Sequence, residues 1–269
     1  EAPKLDVSEK IIEISREDAI KDSDRIKFEN ENIKGSISLK GGIIDDLIFK
    51  NYTETLEGQN NITLLNPKKF SQGYYVETGW VSSSKNIDLP NSKTIWKVDG
   101  NNKLSPNQSV TLTWNNDQGI VFEKKIQIDE KFLFSIDQKI KNKSTKSYDF
   151  YSYGQIIRNK SPDVTNFYIL HEGLIGVFDD QLVEEDYDDI KEKEFSKNAS
   201  SGWLGITDKY WITTLIPDEN REFRADFDFK NKFRANFIET KPLTLVSNGS
   251  ISSNVRVIIA AKEVDVIDN

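Results

Sequence analysis

His171 is the sole histidine in a chain of 269 residues that contains no cysteine. One imidazole excludes any site built on two histidines, and a Ser-His-Asp arrangement would have to include it. Zinc, iron–sulfur and haem centres lose their usual donors for the same reason. His171 lies in an aromatic and aliphatic stretch, NFYILHEGLIG (166–176), which fits a satisfied structural histidine on a strand. Carboxylates are plentiful, and residues 179–194 hold Glu184, Glu185, Asp186, Asp188 and Asp189. A calcium loop needs oxygen ligands at alternating positions around a tight glycine, with a distal glutamate. This run has neither and reads as a solvated loop. A carboxylate pair of the kind that cleaves glycosidic bonds stays open, because its separation is set by the fold. No phosphate-binding or dinucleotide glycine motif is present, so the sequence assigns no cofactor, no metal and no catalytic residue.

Tyrosines offer a binding chemistry. In SYDFYSYGQ (147–155) a strand sends Tyr151 and Tyr153 to one face and Tyr148, Phe150 and Ser152 to the other. One of these faces must be core. If the other lines a concave surface, Tyr151 and Tyr153, with His171, form a candidate cleft for an extended or sugar-like ligand. The alternative is tyrosines packed at a sheet margin with wet hydroxyls.

Composition narrows the partners. A net charge of −8 argues against nucleic acid and against docking on anionic lipid through a basic surface, since both require positive potential. The longest apolar run, residues 257–261, is far short of the ~20 residues of a spanning helix, so a membrane can be reached only through flanking helices absent from this chain. The sequence starts at Glu1 and has no methionine; it is expected to be a processed or excised piece of a longer, membrane-attached product. Zero cysteines fit oxidising and reducing compartments alike. Residues 1–24 are rich in charge and poor in aromatics, with a weak helical pattern at Ile11, Ile12 and Ile14, and read as a tether. Residues 25–269 contain no linker-like segment and read as one domain.

Within that domain, strand signals dominate. Val110-Leu112-Trp114, Phe132-Phe134-Ile136 and Phe223-Ala225-Phe227-Phe229 alternate with the period of half-buried strands, and Asn248-Gly249 marks a hairpin. In SGWLGITDKYWITTLIP (201–217), Trp203, Leu204 and Ile206 lead into a polar turn at Thr207, Asp208 and Lys209, and Tyr210, Trp211, Ile212 and Leu215 lead away from it. The expectation is a buried hairpin, with Trp203, Tyr210 and Trp211 in core or sheet packing and both tryptophans largely buried. Sustained helical periodicity is lacking. Many antiparallel strands joined by short polar turns predict an all-β fold of two packed, twisted sheets.

The order of these blocks resembles a known family. IKGSISLKGGIIDDLIFKNY (33–52), the long strands of residues 122–158 ending at Tyr153-Gly154, NFYILHEGLIG and the 201–217 hairpin resemble, in sequence, the large periplasmic domain of YidC membrane-protein insertases of Gram-negative bacteria. The resemblance implies an antiparallel two-sheet β-supersandwich of the galactose-mutarotase-like kind. It also implies a periplasmic location as part of an inner-membrane protein. The parent would insert and fold membrane proteins, and this domain would be a non-catalytic scaffold or docking surface for Sec translocon accessory subunits or for nascent membrane proteins. Mutarotases place a histidine just before an aromatic pair on a central strand, and 147–155 has none. Two other classes stay open. A carbohydrate-active, mutarotase-like enzyme would require a cleft with at least two convergent titratable groups of perturbed pKa. A sugar- or peptide-binding sandwich would require an exposed aromatic platform.

Overall fold

A computed structural model describes residues 14–55, 58–162 and 171–262. Helix α1 (Arg16–Lys21) precedes β1 (Arg25–Glu29), β2 (Ile33–Ser38), β3 (Ile43–Thr53), β4 (Asn61–Leu65) and β5 (Tyr74–Ser82). Then come β6 (Lys97–Asp99), β7 (Lys103–Leu104), β8 (Val110–Asn115), β9 (Ile120–Ile128), β10 (Leu133–Asn142) and β11 (Tyr148–Arg158). A third group holds β12 (Gly173–Phe178), β13 (Gln181–Asp186), α2 (Tyr187–Glu192), β14 (Phe195–Ala199), β15 (Gly202–Thr207) and β16 (Trp211–Ile216). The last four are β17 (Phe223–Phe229), β18 (Phe233–Glu239), β19 (Leu243–Leu245) and β20 (Ser250–Ala261).

The alternating patterns resolve into two sheets. One runs β13, β12, β15, β16, β20, β10, β9, β8, β6, and the other β14, β17, β18, β11, β5, β3, β2, β1, β7, with β19 beside β11 and β4 beside β3. Pairing is antiparallel except between β1 and β7. The inward-facing residues of both sheets share one core. Phe28 meets Phe134 edge to face at 5.2 Å between ring centroids, and Phe122 meets Phe150 at 6.1 Å, so aromatic contacts join the layers directly. The fold is the antiparallel two-sheet sandwich that the alternating strands predicted.

A notch in the larger sheet positions the site. β5 pairs with β3 in the ladder at one position, Val76 with Ile44. Since β3 begins at Ile43, residues 77–82 of β5 run on beyond it and keep only β11 as a neighbour. Residues 90–96 fill the space alongside: the Gly41 amide donates to the Thr94 carbonyl at 2.8 Å, and the Trp96 amide to the Leu39 carbonyl at 2.9 Å.

Several details depart from expectation. Residues 1–13 of the tether, Ile11 and Ile12 among them, lie outside the described residues, as do 166–170 and 263–269. Residues 14–24 are held to the domain: Ser15 caps α1 by accepting the Asp18 amide at 3.1 Å, and the Arg16 guanidinium bonds Asn66 and Asp46. The acidic stretch forms no loop. It forms edge strand β13 and helix α2, whose Tyr187 and Ile190 are buried. The 201–217 hairpin forms as β15 and β16, but its aromatic residues are less buried than expected. Leu204 and Ile206 take the core face, and alternation sends Trp203 to the outer one, where it is half-buried. Trp211, also half-buried, stacks on Phe49 at 4.7 Å at a margin of the core, and Tyr210 at the turn is 57% exposed.

Candidate functional site

β5 and β11 run side by side, with Tyr151 opposite Val81, Tyr153 opposite Gly79, Gln155 opposite Glu77 and Ile157 opposite Tyr75. Val76, Trp80, Phe150 and Ile156 from the same strands belong to the shared core, so the period of two sends the odd-numbered set to the outer face. Gly79 is needed there: a Cβ at that position would stand 2.8 Å from the Tyr153 ring. With only hydrogen present, the ring lies across the neighbouring strand, and its hydroxyl donates to Glu77 Oε1 at 3.1 Å.

Above this floor is a cleft of about 960 Å³. Glu77, Tyr153, Gln155 and Ile157 form its base, and residues 87–94 and 114–117 form its walls. Of the three residues singled out from sequence, the cleft takes in Tyr153. Tyr151 shares the outer face but is covered by Ile238 and Val81. His171 is held elsewhere, at the end of β12. Its Nε2 donates to the Leu174 carbonyl at 3.0 Å, and its Nδ1 is 3.3 Å from the Asp186 carboxylate. A joint Tyr153–His171 cleft therefore does not form.

Glu77 and Gln155 complete the floor, and Lys124 lies between the sheets on its core side; sequence reading did not single them out. Lys124 projects from the inward face of β9, where Phe122 and Ile126 flank it in the alternation. Its amine donates to the Thr78 carbonyl and stands 5.2 Å from the centroid of the Trp96 ring. Burial lowers the Lys124 pKa to about 8, against the opposing pull of the Glu77 charge. Burial, with the Glu77 charge second, drives the Tyr153 hydroxyl well above its ordinary value, so it remains a donor. Tyr153 thus bonds Glu77, while the Lys124 amine feels only its charge. A lysine at a core-phase position of a strand was the available signal for Lys124; a lone charge in the aromatic-rich run 74–82 gave a weaker one for Glu77. Gln155 is 4% exposed, and its Oε1 has no hydrogen-bond partner. Among the described residues, no group of three or more acidic or imidazole side chains is arranged to hold a metal ion.

A family model described as the YidC periplasmic domain matches residues 25–269. The chain belongs to the YidC periplasmic-domain family. The membrane protein insertase YidC of Pelagibacter ubique (strain HTCC1062) is 53% identical over 268 residues, which are 100% of this chain and 48% of that protein. The YidC of Rickettsia akari (strain Hartford) is 40% identical over 253 residues, 91% of this chain and 45% of its own length. The chain thus spans about half the length of these YidC relatives. The family match begins at the first residue of β1. No helix among the described residues is long and apolar enough to cross a membrane. Among solved structures, the chain resembles a galactose mutarotase related enzyme from Lactobacillus acidophilus. The TM-score is 0.59 at 10% identity, covering 88% of this chain and 97% of that one. A galactose mutarotase-like protein from Lactobacillus casei gives a TM-score of 0.57 at 11% identity, covering 88% and 100%. At such identities the likeness concerns the fold alone.

Proposed function

We propose that this chain is a non-catalytic domain of an inner-membrane protein insertase of the YidC type, a periplasmic scaffold or docking surface for nascent membrane proteins or Sec accessory subunits. The observation that supports the reading is how the two groups displaced by burial, Tyr153 and Lys124, are engaged. Tyr153 gives its proton to a hydrogen bond with Glu77, and Lys124 turns its amine to a backbone carbonyl between the sheets. A general acid and a general base must both reach the substrate, and here Glu77 is the one of the three that is only half-buried. On this reading the cleft would hold a ligand rather than move its protons.

The second reading, a mutarotase-like carbohydrate enzyme, draws on the displaced Tyr153, which bonds Glu77, and on the displaced Lys124, which feels its charge. Polarimetry on the purified chain with freshly dissolved α-galactose separates the two. The expected result is anomer exchange at the buffer rate, unchanged by His171→Ala or Glu77→Gln. A rate proportional to protein concentration and abolished by Glu77→Gln would establish the enzyme and end the non-catalytic reading.

A further inference from the structure

Residues 14–24 reach the sandwich mainly through polar contacts. Arg16 gives its guanidinium to Asn66 and Asp46, and Asp22 accepts the amines of Lys40 and Lys69, each at 3.0 Å. The Ser23 and Ser38 hydroxyls share a hydrogen bond of 2.7 Å, and the Leu39 amide donates to the Asp24 carbonyl at 2.9 Å. The hydrogen bond from Lys69 holds the Asp22 carboxyl below its ordinary range, so its charge is present at neutral pH. In α1 only Ala19 is buried. A gap of about 20 Å³ is lined jointly by Ala19, Asp22 and Ser23 of this segment and by Arg25, Ile43 and Asp45 of the sheet. The segment is therefore not packed to the density of a core. Few buried apolar contacts and partly exposed hydrogen bonds mark a piece of chain that opens locally while the rest stays folded. Partly exposed ion pairs hold best as a network and in dilute salt.

The same segment decides where the chain enters the sandwich. Ile14 pairs with Phe70 in a short bridge, and the Asn159 side-chain amide donates to the Phe70 carbonyl at 2.8 Å. Arg158, next to Asn159, bonds Asp208 at 2.5 Å. In the turn that Asp208 opens, the Tyr210 carbonyl accepts the Lys262 amide at 2.9 Å. Entry at Ile14 and departure at Lys262 thus lie at one end of the sandwich.

We propose that residues 14–24 are a strap latched by charge. Docked, the strap holds the chain's point of entry beside its point of departure; with its ion pairs screened, it lets go as a unit while both sheets stay intact. The orientation of the sandwich toward the segments that flank it would then depend on ionic strength.

The chain has no cysteine, so two introduced ones carry spin labels at known places. Double electron–electron resonance on Glu17→Cys with Tyr210→Cys reads the strap against the point of departure, and Lys139→Cys with Tyr210→Cys reads the sandwich alone; all three sites are exposed. In about 10 mM NaCl, where the screening length is about 30 Å, both pairs should give narrow distance distributions. In about 1 M NaCl, where it falls to about 3 Å, the Glu17 pair should lose its narrow peak and the Lys139 pair should keep it. Arg16→Gln and Asp22→Asn should each release the strap already in dilute salt, and either variant decides if the other fails to fold. A Glu17 distribution that is broad from the start means that the strap has no docked state. One that stays narrow in concentrated salt and in both variants means that packing, not charge, holds the segment. Either result overturns the proposal, as does a Lys139 pair that broadens together with the strap.

Discussion

Lys124 shows what strand alternation leaves unsaid. Its position between Phe122 and Ile126 is a core position, so the sequence indicated where the side chain points but not that Thr78 and Trp96 would receive its amine. Those partners come from β5 and from residues 90–96, more than twenty positions away. The same distance hid the Tyr153–Glu77 bond, which spans 76 positions. Tyr153 was legible because its own strand gave its face; Glu77 and Gln155 gained meaning only once β5 lay beside β11. Lys124 also makes a prediction about pH. Its folded pKa, about 8, lies below the ordinary 10.5. Between these values the unfolded chain binds the proton and the folded chain does not, so stability gains as pH rises through that window. Urea midpoints at several pH values should show the wild type gaining about 3 kcal/mol relative to Lys124→Met between pH 8 and 10.5. Parallel pH profiles for the two proteins would mean that the amine is not desolvated.

At the scale of elements, the hairpin of β15 and β16 was readable from its polar turn and flanking apolar residues. The depth of its tryptophans was not, because period-two alternation assigns a face and leaves open what covers it. Leu204 and Ile206 fill the core, and Trp203 lies on the opposite face. Trp203→Ala should therefore cost less than the ~3–5 kcal/mol of a buried aromatic. Gly202, beside it, has the more demanding position. Its φ is +126°, and a Cβ there would lie 1.9 Å from the Val177 carbonyl oxygen on the paired strand β12. Gly202→Ala combines a disfavoured conformation with a backbone clash and should cost at least about 2 kcal/mol. Chemical denaturation of the two variants side by side should rank Gly202→Ala as the more damaging; the reverse order would place Trp203 in the core after all. The acidic run misled for a related reason. Its charges signalled solvent, which edge strand β13 does face, but Tyr187 and Ile190 anchor the following helix beneath them.

At the scale of the whole molecule, the two sheets direct the large apolar side chains inward. Among the described residues the large exposed apolar ones are Ile95, Leu182, Tyr210 and Val246, each at a different place in the chain. The all-β class followed from local alternation, but the sheet order did not. β10 pairs with β20 across more than a hundred residues, and the notch beside β5 arises from where β3 happens to begin. The chain has a net charge of −8, and among the described residues no helix is fit to cross a membrane; on the proposed reading it would give its parent a folded surface and a cleft. Removing residues 27–261 from a full-length protein that carries this domain, with the flanking segments kept, should therefore preserve insertion of simple substrates in cells depleted of their own insertase. If the docking reading proposed above holds, the same deletion should reduce co-purification with Sec accessory subunits. Growth and co-purification can be read from one strain. Loss of growth while the shortened protein accumulates normally in the membrane would show that the sandwich takes part in insertion itself, and would replace docking with an essential role for the cleft or its surroundings.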